Sequence, residues 1–179
     1  MASNPKEDLI LLLLAAPEEP RGITGRMIGV TRLEKLVFLA QKQIQSVASN
    51  MEAFLFRPWK FGPFSEEIYD AIDTLHNLDL ITVTERDLAS YPEAVESEAL
   101  EDEPAGEPVL EKVFELTPRG KQVADALRKT EIPEEVWKEL CDLKKRFGNL
   151  PLSRLIHYVY HKFPETTAKS VLEHLKPKN

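Results

Sequence analysis

The chain has 179 residues, 42% of them hydrophobic and 30% charged, with 23 Lys and Arg against 30 Asp and Glu for a net charge of −7. That balance fits one compact globular domain, or one domain with an added helical segment, and excludes a fibrous or wholly disordered chain. It argues against a general nucleic-acid coater, and the single cysteine, Cys141, excludes an intrachain disulfide and points to a reducing, cytoplasmic setting.

Asn4-Pro5 reads as a helix start, with Pro at the first helical position and the acids Glu7 and Asp8 in the first turn. The apolar run Leu9 to Ala16 is far too short to cross a membrane. Acids at its head, where a signal peptide carries positive charge, favour a core helix buried on nearly all sides. Pro17 to Gly25 holds two prolines and two glycines and reads as a loop. Thr31-Arg-Leu-Glu34 has the pattern of a capping box, and Leu33, Leu36, Val37, Ala40 and Ile44 recur at helical spacing, predicting a helix over 32–47.

Alternation at Phe54 and Phe56 predicts a short strand that Pro58 ends or places on an edge. Lys60-Phe-Gly-Pro-Phe64 is a tight connector, and Ser65 is a good N-cap for a helix over 66–78. Leu80 to Thr84 and Lys112 to Leu116 read as two strands of a hairpin. Between them Glu85 to Lys112 holds ten acids and two bases, a net charge of −8, which leaves 21 bases and 20 acids for the rest of the chain. Thr117-Pro118 opens a further helix. Others are predicted over 134–147, with Gly148 as C-cap, over 151–162, and over 166–175.

The order helix, helix, short strand, helix, hairpin, helices predicts a mainly α fold with a small antiparallel β-hairpin: an α+β winged helix-turn-helix with a C-terminal helical extension. Residues 1–131 would form the winged-helix domain, with an acidic wing insert at 86–111, and 132–179 the extension. Trp137, Leu140, Leu143, Leu155, Ile156, Val159 and Tyr160 look like more apolar surface than one small core can cover, which predicts a homodimer through 133–175.

Three stretches, Thr31-Arg-Leu-Glu-Lys-Leu-Val-Phe-Leu-Ala40, Phe54-Leu-Phe-Arg-Pro-Trp-Lys-Phe-Gly-Pro-Phe-Ser-Glu-Glu-Ile-Tyr69 and Leu150-Pro-Leu-Ser-Arg-Leu-Ile-His-Tyr-Val-Tyr160, resemble the YwgA-like family of uncharacterised bacterial and archaeal proteins, as does Leu116-Thr-Pro-Arg-Gly120. The first two also resemble, more distantly, the Panacea-type antitoxin domain. The resemblance implies a winged-helix type of fold and carries no activity with it.

No catalytic signature is present: there is no Gly-rich phosphate loop and no nucleophile elbow. His157 and His161, four apart on one predicted helix, lack the further ligands of a zinc site, so neither metal nor cofactor is expected. In the winged-helix mode of DNA binding, the helix before the hairpin enters the major groove. Here that helix holds Glu66, Glu67, Asp70, Asp73 and Asp79 and no Lys or Arg, and phosphate would repel it. The expected function is therefore that of a non-enzymatic regulatory or adaptor module with a protein partner. The alternative is a DNA-binding regulator using the basic face of 26–60, where six bases face two acids. Candidate partner-binding residues are Arg57, Trp59 and Lys60 on the rigid connector, with Arg32 and Lys35.

Overall fold

A computed structural model describes residues 4–17, 24–50, 53–87 and 110–178. The fold is mostly helical with a small antiparallel sheet.

Helix α1 (Pro5–Ala15) starts as its sequence predicts: the Asn4 side chain accepts the Lys6 N–H and Pro5 opens the first turn. Leu9 through Leu14 are all buried, because α1 runs through the middle of the molecule, in contact with helices and strands on every side. Strand β1 (Arg26–Ile28), inside a region without a legible strand pattern, follows.

Helix α2 (Val30–Gln43) begins one residue before Thr31, behind Gly29 at φ +91°, so the expected capping box does not form. Glu34 turns into the protein instead of back toward the helix start. The helix breaks at Ile44, and a short helix α3 (Gln45–Asn50) completes the expected single element.

The strand expected over 54–57 is displaced. Phe54 is buried and its backbone is fastened to Gln41: the Gln41 amide donates to its carbonyl and its N–H donates to Gln41 Oε1. Strand β2 (Arg57–Trp59) starts later and pairs with β3 (Gly62–Phe64) in a hairpin, with Arg57 opposite Phe64, Pro58 opposite Pro63 and Trp59 opposite Gly62. Proline is tolerated in both strands because a two-stranded ribbon consists only of edges. Gly62, at φ +91°, supplies a backbone conformation that a side chain would disfavour.

Helix α4 (Glu66–Asn77) leads into β4 (Ile81–Asp87), which pairs with β5 (Leu110–Leu116) over its full length. β1 adds to the other side of β5, for a sheet order β1-β5-β4. The acidic insert expected at 86–111 thus contributes its two ends to the strands, and 88–109 lie outside the described residues. Helix α5 (Pro118–Thr130) has the predicted cap: Thr117 accepts the Gly120 N–H and donates its hydroxyl to the Asp79 carbonyl. Gly120 sits against the start of β4, where an added Cβ would lie 1.9 Å from the Leu80 carbonyl oxygen. Gly120→Ala is expected to cost about 3 kcal/mol, since the obstacle is backbone and cannot rotate away; urea denaturation measures it.

Helices α6 (Glu134–Phe147) and α7 (Leu152–Lys162) are integral to the same core, packing on α2 and α1, so they are no appendage. Leu140, Leu155, Ile156, Val159 and Tyr160 are completely buried within the one chain, and Leu143 nearly so, while Trp137 packs on the core half-buried. Six of the seven apolar residues that motivated a dimer through 133–175 are thus covered within the one chain. Gly148 follows α6 in a right-handed conformation, not as a left-handed cap. The expected helix over 166–175 is two short 3-10 turns, Pro164–Thr167 and Glu173–Leu175, separated where the Ser170 hydroxyl accepts the Leu172 N–H.

Candidate partner-binding site

The outer face of the β2–β3 hairpin brings together side chains from three parts of the sequence. Arg57 and Trp59 project on the same side of β2, and register places Phe64 of β3 beside Arg57. The guanidinium lies 4.8 Å from the Trp59 ring centre and 5.3 Å from that of Phe64, and it forms an ion pair with Glu66 of α4. The Trp59 and Phe64 rings are 6.2 Å apart, and Tyr69, one turn into α4, continues the row 5.8 Å from Phe64. At the other end Lys169 holds its ammonium 5.8 Å from the Trp59 ring. Trp59 and Tyr69 are each 36% exposed, the Arg57 side chain is 49% exposed, and Lys60 is exposed at the tip. Leu55, 76% exposed, precedes the hairpin and donates its N–H to Glu67.

This surface rests on a stiff base. Lys35 of α2 is fully buried, and its ammonium donates to the Pro63 carbonyl at 2.9 Å while lying 3.6 Å from the Glu34 carboxylate. Burial pushes Glu34 up to about 7, against the pull of Lys35, and pushes Lys35 down to about 8, against the pull of Glu34. The second Glu34 oxygen and the Ser65 hydroxyl are also buried and have no hydrogen-bond partner. The cap expected from Ser65 is therefore not made, and α4 begins without a side-chain acceptor. Burial, with Glu34 nearby, raises Tyr69 to about 12, so its hydroxyl remains a donor at any physiological pH. Beneath the turn, Gly62 faces Tyr160 so closely that a Cβ would stand 2.7 Å from the ring. Tyr160 in turn pairs its hydroxyl with Ser170, and the next residue, Val171, donates its N–H to the Lys60 carbonyl. The hairpin is fastened from below by α2 and from the side by the C-terminal strap.

The sequence-predicted residues thus separate. Arg57, Trp59 and Lys60 share the exposed hairpin. Lys35 does not offer its charge to a partner: its ammonium is buried under the hairpin, where it donates to a β-strand carbonyl and faces the Glu34 carboxylate. Arg32 is half-buried and donates to the carbonyls of Phe147, Gly148 and Leu150, closing the C-terminal end of α6. With Lys35 buried and Arg32 engaged, residues 26–60 do not present a continuous basic face. Phe64 stands in the basic–aromatic cluster legible around Trp59, and Glu66 on the legible acidic face of the following helix; Tyr69 and Lys169 were missed. Tyr69 stands four residues before Asp73 on the polar side of α4, a position that could have marked it as exposed.

His157 and His161 stack at 3.9 Å on the exposed side of α7. Among the described residues no group of three or more His, Cys, Asp or Glu is gathered as a metal site. None of the described helices is long and apolar enough to cross a membrane. Comparison with protein-family models and with curated proteins finds no match.

Proposed function

We propose that this chain is a non-enzymatic regulatory or adaptor module on a winged-helix scaffold, acting through a protein partner held at the β2–β3 hairpin. The sheet order β1-β5-β4 and the placement of α4 directly before the β4–β5 hairpin support the winged-helix reading. The resemblance to YwgA-like proteins in the stretches that build α2, the hairpin and α7 points the same way.

The observation that carries the reading is the row in which exposed Trp59, Arg57 and Tyr69 flank half-buried Phe64, on a hairpin fixed in advance and the start of α4. Trp, Tyr and Arg are the residues that dominate binding energy at protein interfaces, and a rigid frame spares a partner the entropy of ordering it. The helix that would face DNA in this fold instead exposes Glu66, Asp70 and Asp73, which disfavours phosphate.

Two measurements test the proposal. Arg57→Ala with Lys60→Ala is expected to abolish recovery of the partner from native lysate. It should leave the melting temperature within a few degrees, as surface substitutions do. Trp59→Ala, with its ring one-third exposed, is expected to lose the partner too at a stability cost of only about 1 kcal/mol. Partner recovery unchanged in both variants defeats the assignment of the site. Tight, salt-sensitive duplex binding in a gel shift at about 50 mM salt defeats the adaptor reading itself.

A further inference from the structure

The row on the hairpin has unlike ends. At the Trp59 end stand Lys60 and Lys169, exposed and without an ion-pair partner among the described residues. At the Tyr69 end stand Asp70 and Asp73, also exposed and likewise without an ion-pair partner there. Asp73 is four residues from Tyr69, hence its neighbour one turn further along the same face of α4. The middle is close to neutral: Arg57 is matched by Glu66, and Trp59, Phe64 and Tyr69 supply ring surface. One more acid, Glu165, is exposed on the turn that packs against β2 and tempers the basic end without matching its two lysines.

We propose that this surface takes an extended peptide segment of a partner protein that is acidic at one end, basic at the other and apolar between. The inference rests on the adaptor reading and names the chemistry of the partner. From Lys169 to Tyr69 the row measures at most about 18 Å along its steps of 5.8, 6.2 and 5.8 Å. At about 3.3 Å per residue, five or six residues of extended chain cover it. Two apolar side chains of that segment would rest on Trp59 and between Phe64 and Tyr69, its acids would meet Lys60 and Lys169, and its bases Asp70 and Asp73. A uniformly acidic or uniformly basic ligand would match one end and be repelled by the other. The same reasoning excludes a nucleic-acid strand, whose charge is uniform.

The test uses the full chain carrying Trp137→Phe, so that Trp59 is its one tryptophan and its fluorescence reports occupancy. Three probe peptides share a Phe-Ser-Leu centre: one flanked by Asp-Asp and Lys-Lys, one by Asp-Asp on both sides, one by Lys-Lys on both sides. The bipolar peptide is expected to bind at least tenfold more tightly than either uniform one. Lys60→Glu with Lys169→Glu should move the preference to the all-basic peptide, and Asp70→Lys with Asp73→Lys to the all-acidic one. These four side chains are exposed, so circular dichroism and melting of both variants should match the parent. Equal binding of all three peptides, no response of Trp59 to any, or tighter binding of a dT oligonucleotide than of the bipolar peptide overturns the proposal. If the wild-type chain still recovers a protein through Arg57 and Lys60 while every peptide fails, the adaptor reading stands and the bipolar chemistry is wrong. If recovery fails as well, the adaptor reading falls with it.

Discussion

Lys144→Met is expected to destabilise the protein by about 3–5 kcal/mol, lowering the melting temperature by roughly 10 °C or more. Lys144 is completely buried in α6, and its ammonium donates to the carbonyls of Leu13, Leu14 and Ala16 at 2.7, 3.4 and 3.1 Å. Those oxygens belong to the C-terminal end of α1, where carbonyls have no partner within the helix and the dipole is negative. The helix is surrounded by core, so water cannot replace the donor. A methionine of similar volume would fill the space and strip the Leu13 and Ala16 carbonyls of this donor, while the Leu14 carbonyl keeps its bond from the Gly25 N–H. Lys145→Met is the control: this neighbour is exposed, and its loss should register within about 0.5 kcal/mol. Equal effects for the two variants would show that the α1 cap carries no weight. The basic run 144–146 is enriched at the end of α6, as a dipole argument expects, yet its first member serves the end of a different helix.

The second large effect lies under the hairpin. Lys35→Met leaves the buried Glu34 carboxylate without its counter-charge and the Pro63 carbonyl without its donor, and is expected to cost about 3–5 kcal/mol. Removing both charges with Glu34→Leu and Lys35→Met should recover much of that, since an apolar pair avoids the desolvation of two ions. The orphaned Pro63 carbonyl keeps the double variant about 1–3 kcal/mol below wild type. The pair also predicts the pH dependence. Glu34 is raised from 4.5 to about 7, so its contribution to stability is complete below pH 4.5 and is lost as pH rises to about 7. Lys35 is lowered from 10.5 to about 8, so its contribution is present above pH 10.5 and is lost as pH falls through about 8. Both contributions are absent between about pH 7 and 8, where the pair makes the protein least stable. Asp8, raised to about 6 chiefly by burial and also by Glu7 and Glu131, adds to the acid limb below pH 6. Urea titrations from pH 5 to 10 should show a shallow minimum near pH 7.5 that flattens in the double variant. A minimum of the same depth in that variant would assign it to other groups.

Much of the helical framework is legible because its signals are local. Six consecutive aliphatic side chains from Leu9 to Leu14 can only be satisfied by burial on all sides of a helix, and that is where they lie. Thr117-Pro118 caps α5 as read, since donor and acceptor are three residues apart. The apolar stripes of α4, α6 and α7 likewise repeat within one or two turns. Where competing partners existed, the local reading failed. Thr31 and Glu34 have the capping spacing, but Glu34 is drawn inward beside Lys35, and Ser65 is buried without making its cap.

What only the tertiary structure decided is the destination of the charges and the shape of the exposed hairpin. Arg32, Lys35 and Lys144 look alike in sequence as surface cations. Their partners are carbonyls 115–118, 28 and 128–131 residues away, beyond the reach of any periodicity. Strand β1 is three residues long and exists because β5, nearly ninety positions later, has a free edge to pair with. Trp59, Phe64 and Tyr69 are aromatics of the kind that usually pack a core. Trp59 and Phe64 lie on the outer face of a hairpin whose underside is taken by Lys35 and Tyr160, and Tyr69 joins them from the exposed face of α4.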